Sequence, residues 1–200
     1  MKRHPNLVLF TLLLAVLAVA VVLTRRAGPG SEPTYVSRTE EIMATPISVL
    51  LPEAAGAEAA EAVFAVFRRV DAEMSEWKST SPLSAVIAAA GERPVEVPAD
   101  LFDLLEFSVG LGEATGGAFD CTWAALWGVW DFRAETPALP AEDLIAQRLA
   151  LVDYRRLELD RASRTAFLPE PGMKVGLGGI AKGRALDLAR AELQQREIGR

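Results

Sequence analysis

The spacing of apolar positions changes period several times along the chain, and each change marks an element. TEEIMATPISVLL, residues 39–51, alternates on both sides of Pro46 and predicts two short strands, or one strand broken at the proline. Val63, Val66, Phe67, Val70 and Met74 then recur at helical spacing and predict an amphipathic helix over 56–74. Ser81 before Pro82 has the form of an N-cap followed by a first-turn proline, and Gly91 suits the far end of that short helix. VEV at 95–97 reads as a brief strand, and Pro98 opens a helix running to Gly116-Gly117. PAEDLIAQRLA, 140–150, predicts another helix, and LELDRASRTAFLP, 157–169, a hairpin centred on Arg161 to Ser163. MKV leads as a strand into GLGGIAKG, 176–183, with a last helix behind it. Helices and strands are interspersed without a βαβ rhythm, so the expected class is α+β.

One apolar run does not fit a folded core. Residues 7–23, LVLFTLLLAVLAVAVVL, carry no charge and lie between Lys2-Arg3 and Arg25-Arg26, long enough to cross a bilayer. The expectation is a signal peptide or signal anchor over 1–26, with the uncleaved anchor favoured, then a Gly/Pro/Ser linker over 27–34 and one domain over 35–200. The basic flanks are nearly balanced and orient the segment weakly.

Charge narrows the partners. The chain carries a formal net charge of −6, and residues 1–26 hold four basic and no acidic side chains, which leaves −10 on the remainder. An acidic domain without a basic stripe argues against nucleic acid. The single cysteine, Cys121, has no partner for an internal disulfide and reads as a small buried filler. The only histidine, His4, precedes the apolar run and is no candidate for catalysis.

Three stretches could carry chemistry. In GLGGIAKG, Gly176, Gly178 and Ala181 fit a dinucleotide-type fingerprint, but only nineteen residues follow Ala181, too few for the rest of a nicotinamide-binding fold. The stretch also suits a phosphate, because a glycine turn at a helix start offers unpaired N–H groups beside Lys182; a purely structural turn with a solvated lysine is the alternative. In GGAFDCTWAALWGVWDF, 116–132, Asp120 either caps the next turn or binds something. Trp123, Trp127 and Trp130 follow helical spacing and are expected to pack. In MSEWKSTSPLS, 74–84, Trp77 sits in a polar loop, where it shields a helix end or stacks on a planar ligand.

In order, IMATPISVLL, VDAEMSEWKSTSPLSAVIAAA, VEVPADLFDLLEFS, ATGGAFDCTWAALWGVWDF and KVGLGGIAKGRALDLA resemble the family of FAD:protein FMN transferases of the ApbE type, from about Ile42 onward. The resemblance implies an ApbE-like mixed helix and sheet domain with FAD as flavin donor and Mg²⁺ as metal. Its activity would attach FMN to a threonine of an acceptor flavoprotein, a subunit of a membrane redox complex, and release AMP. It implies that Met43 and Trp77 contact the flavin, that Ala118, Phe119, Asp120 and Gly176 line the FAD site, that Lys182 approaches FAD, and that the Gly179 carbonyl faces Mg²⁺. The tryptophans would build the wall behind. It also implies a cytoplasmic (inner) membrane location, tethered by residues 1–26, with the domain facing the periplasm or outside.

Three departures from the family pattern accompany it: Ala44 replaces a usual glycine, Gly176 a frequent aspartate, and Cys121 a common proline. The family's remaining metal ligands, an acidic residue and a threonine, would lie beyond Arg200, so the domain is expected to be C-terminally incomplete. FAD hydrolysis to FMN and AMP, and FAD binding without turnover, are the alternatives, and no general base is assignable.

Overall fold

Residues 33–136 and 138–198 are described in a computed structural model, which opens on two antiparallel strands, β1 (Tyr35–Ile42) and β2 (Thr45–Pro52). Ile42 pairs with Thr45 and Tyr35 with Pro52, so Met43 and Ala44 alone form the turn. Their φ values are 56° and 52°. Two successive left-handed residues make the turn whose twist matches a right-handed hairpin, so the chain reverses here and not at Pro46. Pro46 faces Glu41 in the pair next to the one that closes the turn. In such a ladder that pair exchanges no hydrogen bonds, so the missing proline N–H costs nothing.

Ala44 carries a side chain where glycine is at ease. A left-handed residue other than glycine costs about 1–2 kcal/mol, so Ala44→Gly is expected to raise unfolding stability by about 1 kcal/mol, read as a higher urea midpoint at unchanged slope.

Helix α1 (Gly56–Glu73) buries the stripe Val63, Phe64, Val66, Phe67 and Val70, as the apolar spacing requires. Each of these larger side chains contributes roughly 1.5–3 kcal/mol by leaving water. On the far side of the hairpin from solvent, α1 packs against α5 (Ala181–Gln195), whose buried face is Ala181, Ala185 and Ala189. Small residues four apart let the two helices approach closely. Helix α2 (Pro82–Ala88) begins at Ser81, whose Oγ accepts the Ser84 N–H at 2.9 Å and donates to the Ser75 carbonyl. Helix α3 (Ala99–Ala114) contributes Leu101, Phe102, Leu104 and Leu105 to the same core, whereas α4 (Glu142–Leu149) buries no residue fully.

A second, three-stranded antiparallel sheet has the order β3 (Val95–Glu96), β5 (Thr165–Phe167), β4 (Glu158–Asp160). Ala166 at its centre pairs with both Val95 and Leu159 and is fully buried. The strand expected at MKV is absent: Met173, Val175 and Leu177 alternate inward, but the segment joins neither sheet. Its Gly176 N–H goes instead to the Cys121 carbonyl at 2.8 Å, so a turn occupies the place of a ladder partner. The tryptophan stretch is likewise no α-helix. Cys121–Leu126 is a 3₁₀ turn that ends before Trp127.

The mixed α+β fold thus stands, and two expectations attached to it find no support among the described residues. The membrane-targeting helix fell on residues 1–26, which lie outside the described residues, and no helix among the described residues is long and apolar enough to cross a membrane. Membrane attachment through that segment and an inner-membrane location facing the periplasm therefore have no element among the described residues to carry them. The described residues form a continuous core, with α5 seated in it through Ala181, Ala185 and Ala189, and they give the expected C-terminal incompleteness no structural support.

Candidate functional site

Four separate strips of chain meet at one open cleft of about 560 Å³. The hairpin turn supplies Met43 and Ala44, the end of α1 and the loop after it supply Asp71 and Met74 through Lys78, the 3₁₀ segment supplies Trp123 and Trp127, and the glycine turn supplies Gly178, Ala181 and Lys182. The left-handed turn described above therefore forms one lip of the cleft.

Aromatic surface dominates one end. Trp77 meets Trp127 edge to face with ring centroids 4.4 Å apart, and Trp127 meets Trp123 at 5.0 Å. Trp77 is 67% exposed, Trp123 37% and Trp127 38%. Rings this open are a stacking surface and not core, which overturns the packing expected of Trp123 and Trp127. The signal was present as three indoles within eight residues, and helical spacing assigned them to the wrong kind of element.

The other end is the start of α5. The Leu177 carbonyl accepts both the Ile180 and Ala181 N–H groups, at 2.9 and 2.8 Å, which curls the glycine turn into the helix. No side chain caps that helix start. Lys182 stands on its first turn, exposed to the cleft, and forms no ion pair among the described residues. By contrast, Lys78 is held by Asp71 at 2.5 Å. An uncapped helix start beside an unpaired ammonium suits an anion. Behind it, Asp100 on α3 accepts from Arg69 of α1 and from Arg184 of α5, the latter at 3.2 Å, so three helices are cross-braced just below the turn.

Of the residues singled out in the sequence, Met43, Trp77 and Lys182 come together in this cleft; Ala118, Phe119, Asp120, Gly176 and Gly179 do not line it. Asp120 is fully engaged within the protein. Its Oδ1 accepts the Thr122 N–H at 2.7 Å and the Thr122 hydroxyl at 2.5 Å, and its Oδ2 accepts the Tyr154 N–H at 3.0 Å. The carboxylate therefore caps the 3₁₀ turn and pins it to the 154–156 segment. Ala118 is exposed just past α3, and Phe119 leans on the core, where a methyl group on Gly179 would reach its ring at 3.8 Å. Gly176 is buried beside Trp123. Burial pushes the Cys121 thiol up to about 11, so it stays protonated and unreactive at neutral pH.

Gly179 lines a separate groove of about 470 Å³ with Asp103, Phe107, Arg184 and Asp187. Asp103 is engaged by Arg184 at 3.8 Å. Among the described residues no three His, Cys, Asp or Glu side chains converge as a metal site. Mg²⁺ prefers near-octahedral oxygen coordination; Asp103 and Asp187 share the groove with Gly179, but Arg184 competes for Asp103 and no three-ligand cluster forms among the described residues, so these residues alone do not assemble a set for the ion.

The arrangement defines an α+β protein whose cleft joins a stacking surface to an anion-suited helix start. The sequence model of the ApbE family matches residues 43–200, and the chain belongs to that family. It is 32% identical over 160 residues to the FAD:protein FMN transferase of Treponema pallidum, covering 76% of this chain and 44% of that protein. It is 32% identical over 145 residues to that of Rhodobacter capsulatus, covering 72% of this chain and 28% of the relative. The crystal structure of the ApbE protein from Thermotoga maritima superposes with a TM-score of 0.71 at 26% identity, over 80% of this chain and 53% of the other. The flavin transferase ApbE from Vibrio cholerae, at 22% identity and a TM-score of 0.76 over 84% of this chain and 55% of the other, shares the fold. The chain spans about half the length, or less, of these relatives.

Proposed function

We propose that the cleft holds FAD as a flavin donor and that the chain serves in transferring FMN from it to a threonine of an acceptor flavoprotein, with release of AMP. The observation that carries the reading is the pairing, in one cleft, of three indole rings with Lys182 at an uncapped helix start. Trp77 and Met43 line the cleft where an isoalloxazine ring would stack, and Lys182 at the start of α5 offers countercharge for a pyrophosphate. Family membership supports the same reading, since the Treponema pallidum and Rhodobacter capsulatus relatives are FAD:protein FMN transferases.

In this reading the threonine oxygen forms a P–O bond at the FMN-side phosphorus, the bridge to the AMP phosphate breaks, AMP leaves with the bonding electrons, and the hydroxyl proton passes to solvent. Lys182 and the helix start stabilise the charge that grows on the departing phosphate, a contribution fixed in place before the reaction.

The test combines FAD, Mg²⁺ and an acceptor flavoprotein with the chain. Saturable quenching of tryptophan fluorescence by FAD is expected, together with covalent flavin fluorescence on the denatured acceptor and an equal amount of AMP. FMN and AMP formed without acceptor would assign hydrolysis instead, and binding without AMP would leave a flavin-binding role. Absence of FAD binding would reject the reading of the cleft.

A further inference from the structure

The two ends of the cleft are joined at a single residue. Gly176 donates its N–H to the Cys121 carbonyl at 2.8 Å, and its own carbonyl accepts the Trp123 Nε1–H at 3.3 Å. Both main-chain groups of Gly176 are therefore spent on the segment that carries the indole wall. A Cβ placed on Gly176 would stand 3.1 Å from the Ala124 Cβ and 3.2 Å from Trp123 Nε1, tighter than side chains normally pack. This contact is only as close as it is because position 176 has no side chain.

Each side of the joint is stiff. On one side, Asp120 fastens the 3₁₀ turn that bears Trp123, and Trp123 supports Trp127, which in turn meets Trp77. On the other, Leu177 follows Gly176 directly and accepts the two N–H groups that start α5, with Lys182 one residue further on.

We infer that Trp123 is a positioning residue: its N–H bond to the Gly176 carbonyl sets the spacing between the indole wall and the helix start that bears Lys182. This rests on the reading of the cleft as a flavin and pyrophosphate site. A fixed spacing favours a ligand that must touch both ends at once, because its second contact is then made without further ordering of the protein. It does nothing for a ligand that touches one end only.

That difference supplies the test. Trp123→Phe keeps an aromatic ring and removes the N–H. Dissociation constants are measured for FAD, which spans both ends, for riboflavin, which has the ring without phosphate, and for inorganic pyrophosphate. FAD is expected to bind about five-fold more weakly, with riboflavin and pyrophosphate changed by less than about two-fold. Gly176→Ala, which wedges the same contact from the other side, is expected to give the same FAD-selective loss and carries the test if Trp123→Phe melts without cooperativity. Equal weakening of FAD and riboflavin would mean that Trp123 acts through its ring face alone and not through its N–H, and would overturn the inference, as would unchanged FAD affinity in both variants. Failure of the unmutated chain to bind FAD would instead overturn the reading of the cleft on which the inference stands.

Discussion

Asp120→Ala is expected to lower unfolding stability by about 3 kcal/mol, because it orphans three donors at once at roughly 1 kcal/mol or more each. Two of them belong to Thr122, which is fully buried, so water does not replace the lost acceptor there. The third is the Tyr154 N–H, which joins the turn to a segment 34 residues away. Chemical denaturation gives the loss directly. Asp120→Asn should lose less, since one amide oxygen still accepts from Thr122 while the amide nitrogen now faces the Tyr154 N–H. The same substitutions loosen the turn that holds Trp123 and Trp127, so flavin affinity should fall with stability. An Asp120→Ala protein as stable as the parent would remove the carboxylate from its place in this scaffold.

Lys182→Ala is expected to weaken FAD binding about ten-fold or more while leaving the melting temperature nearly unchanged. A charge-assisted hydrogen bond contributes roughly 1.5–3 kcal/mol, and each 1.4 kcal/mol is a factor of ten in affinity. Lys182 forms no ion pair among the described residues and is exposed, so the fold loses nothing comparable. Riboflavin, which lacks phosphate, should bind the variant as it binds the parent. Titration of both ligands checks this, and an unchanged FAD constant would return Lys182 to the solvated surface.

The regular elements were legible because their signals are local. The stripe Val63, Val66, Phe67 and Val70, the Ser81–Pro82 cap and the turn after Asp160 each depend on neighbours within a few residues, and each appears where the sequence puts it. The hairpin turn was misplaced because proline is a strong local breaker, whereas Met43 and Ala44 adopt left-handed conformations that their side chains do not favour. Helical spacing misled at Trp123 and Trp127, where docking onto Gly176 imposes a 3₁₀ turn and leaves the rings facing outward. Lys182 and Trp77 were found as local oddities, an ammonium beside glycines and an indole among polar residues. Asp71, Glu76 and Lys78 were missed, since nothing in their own neighbourhood separates a cleft-lining charge from a solvated one.

The hydrogen bond from Trp123 to Gly176 closes a loop of 53 residues. Loop closure grows more expensive with length, and contacts between distant parts of a chain form after local helices and hairpins have already condensed. The helices and the first hairpin can therefore be present while the cleft is not. The cleft is expected to form late, so that in refolding the far-ultraviolet circular dichroism signal should return before FAD binding does.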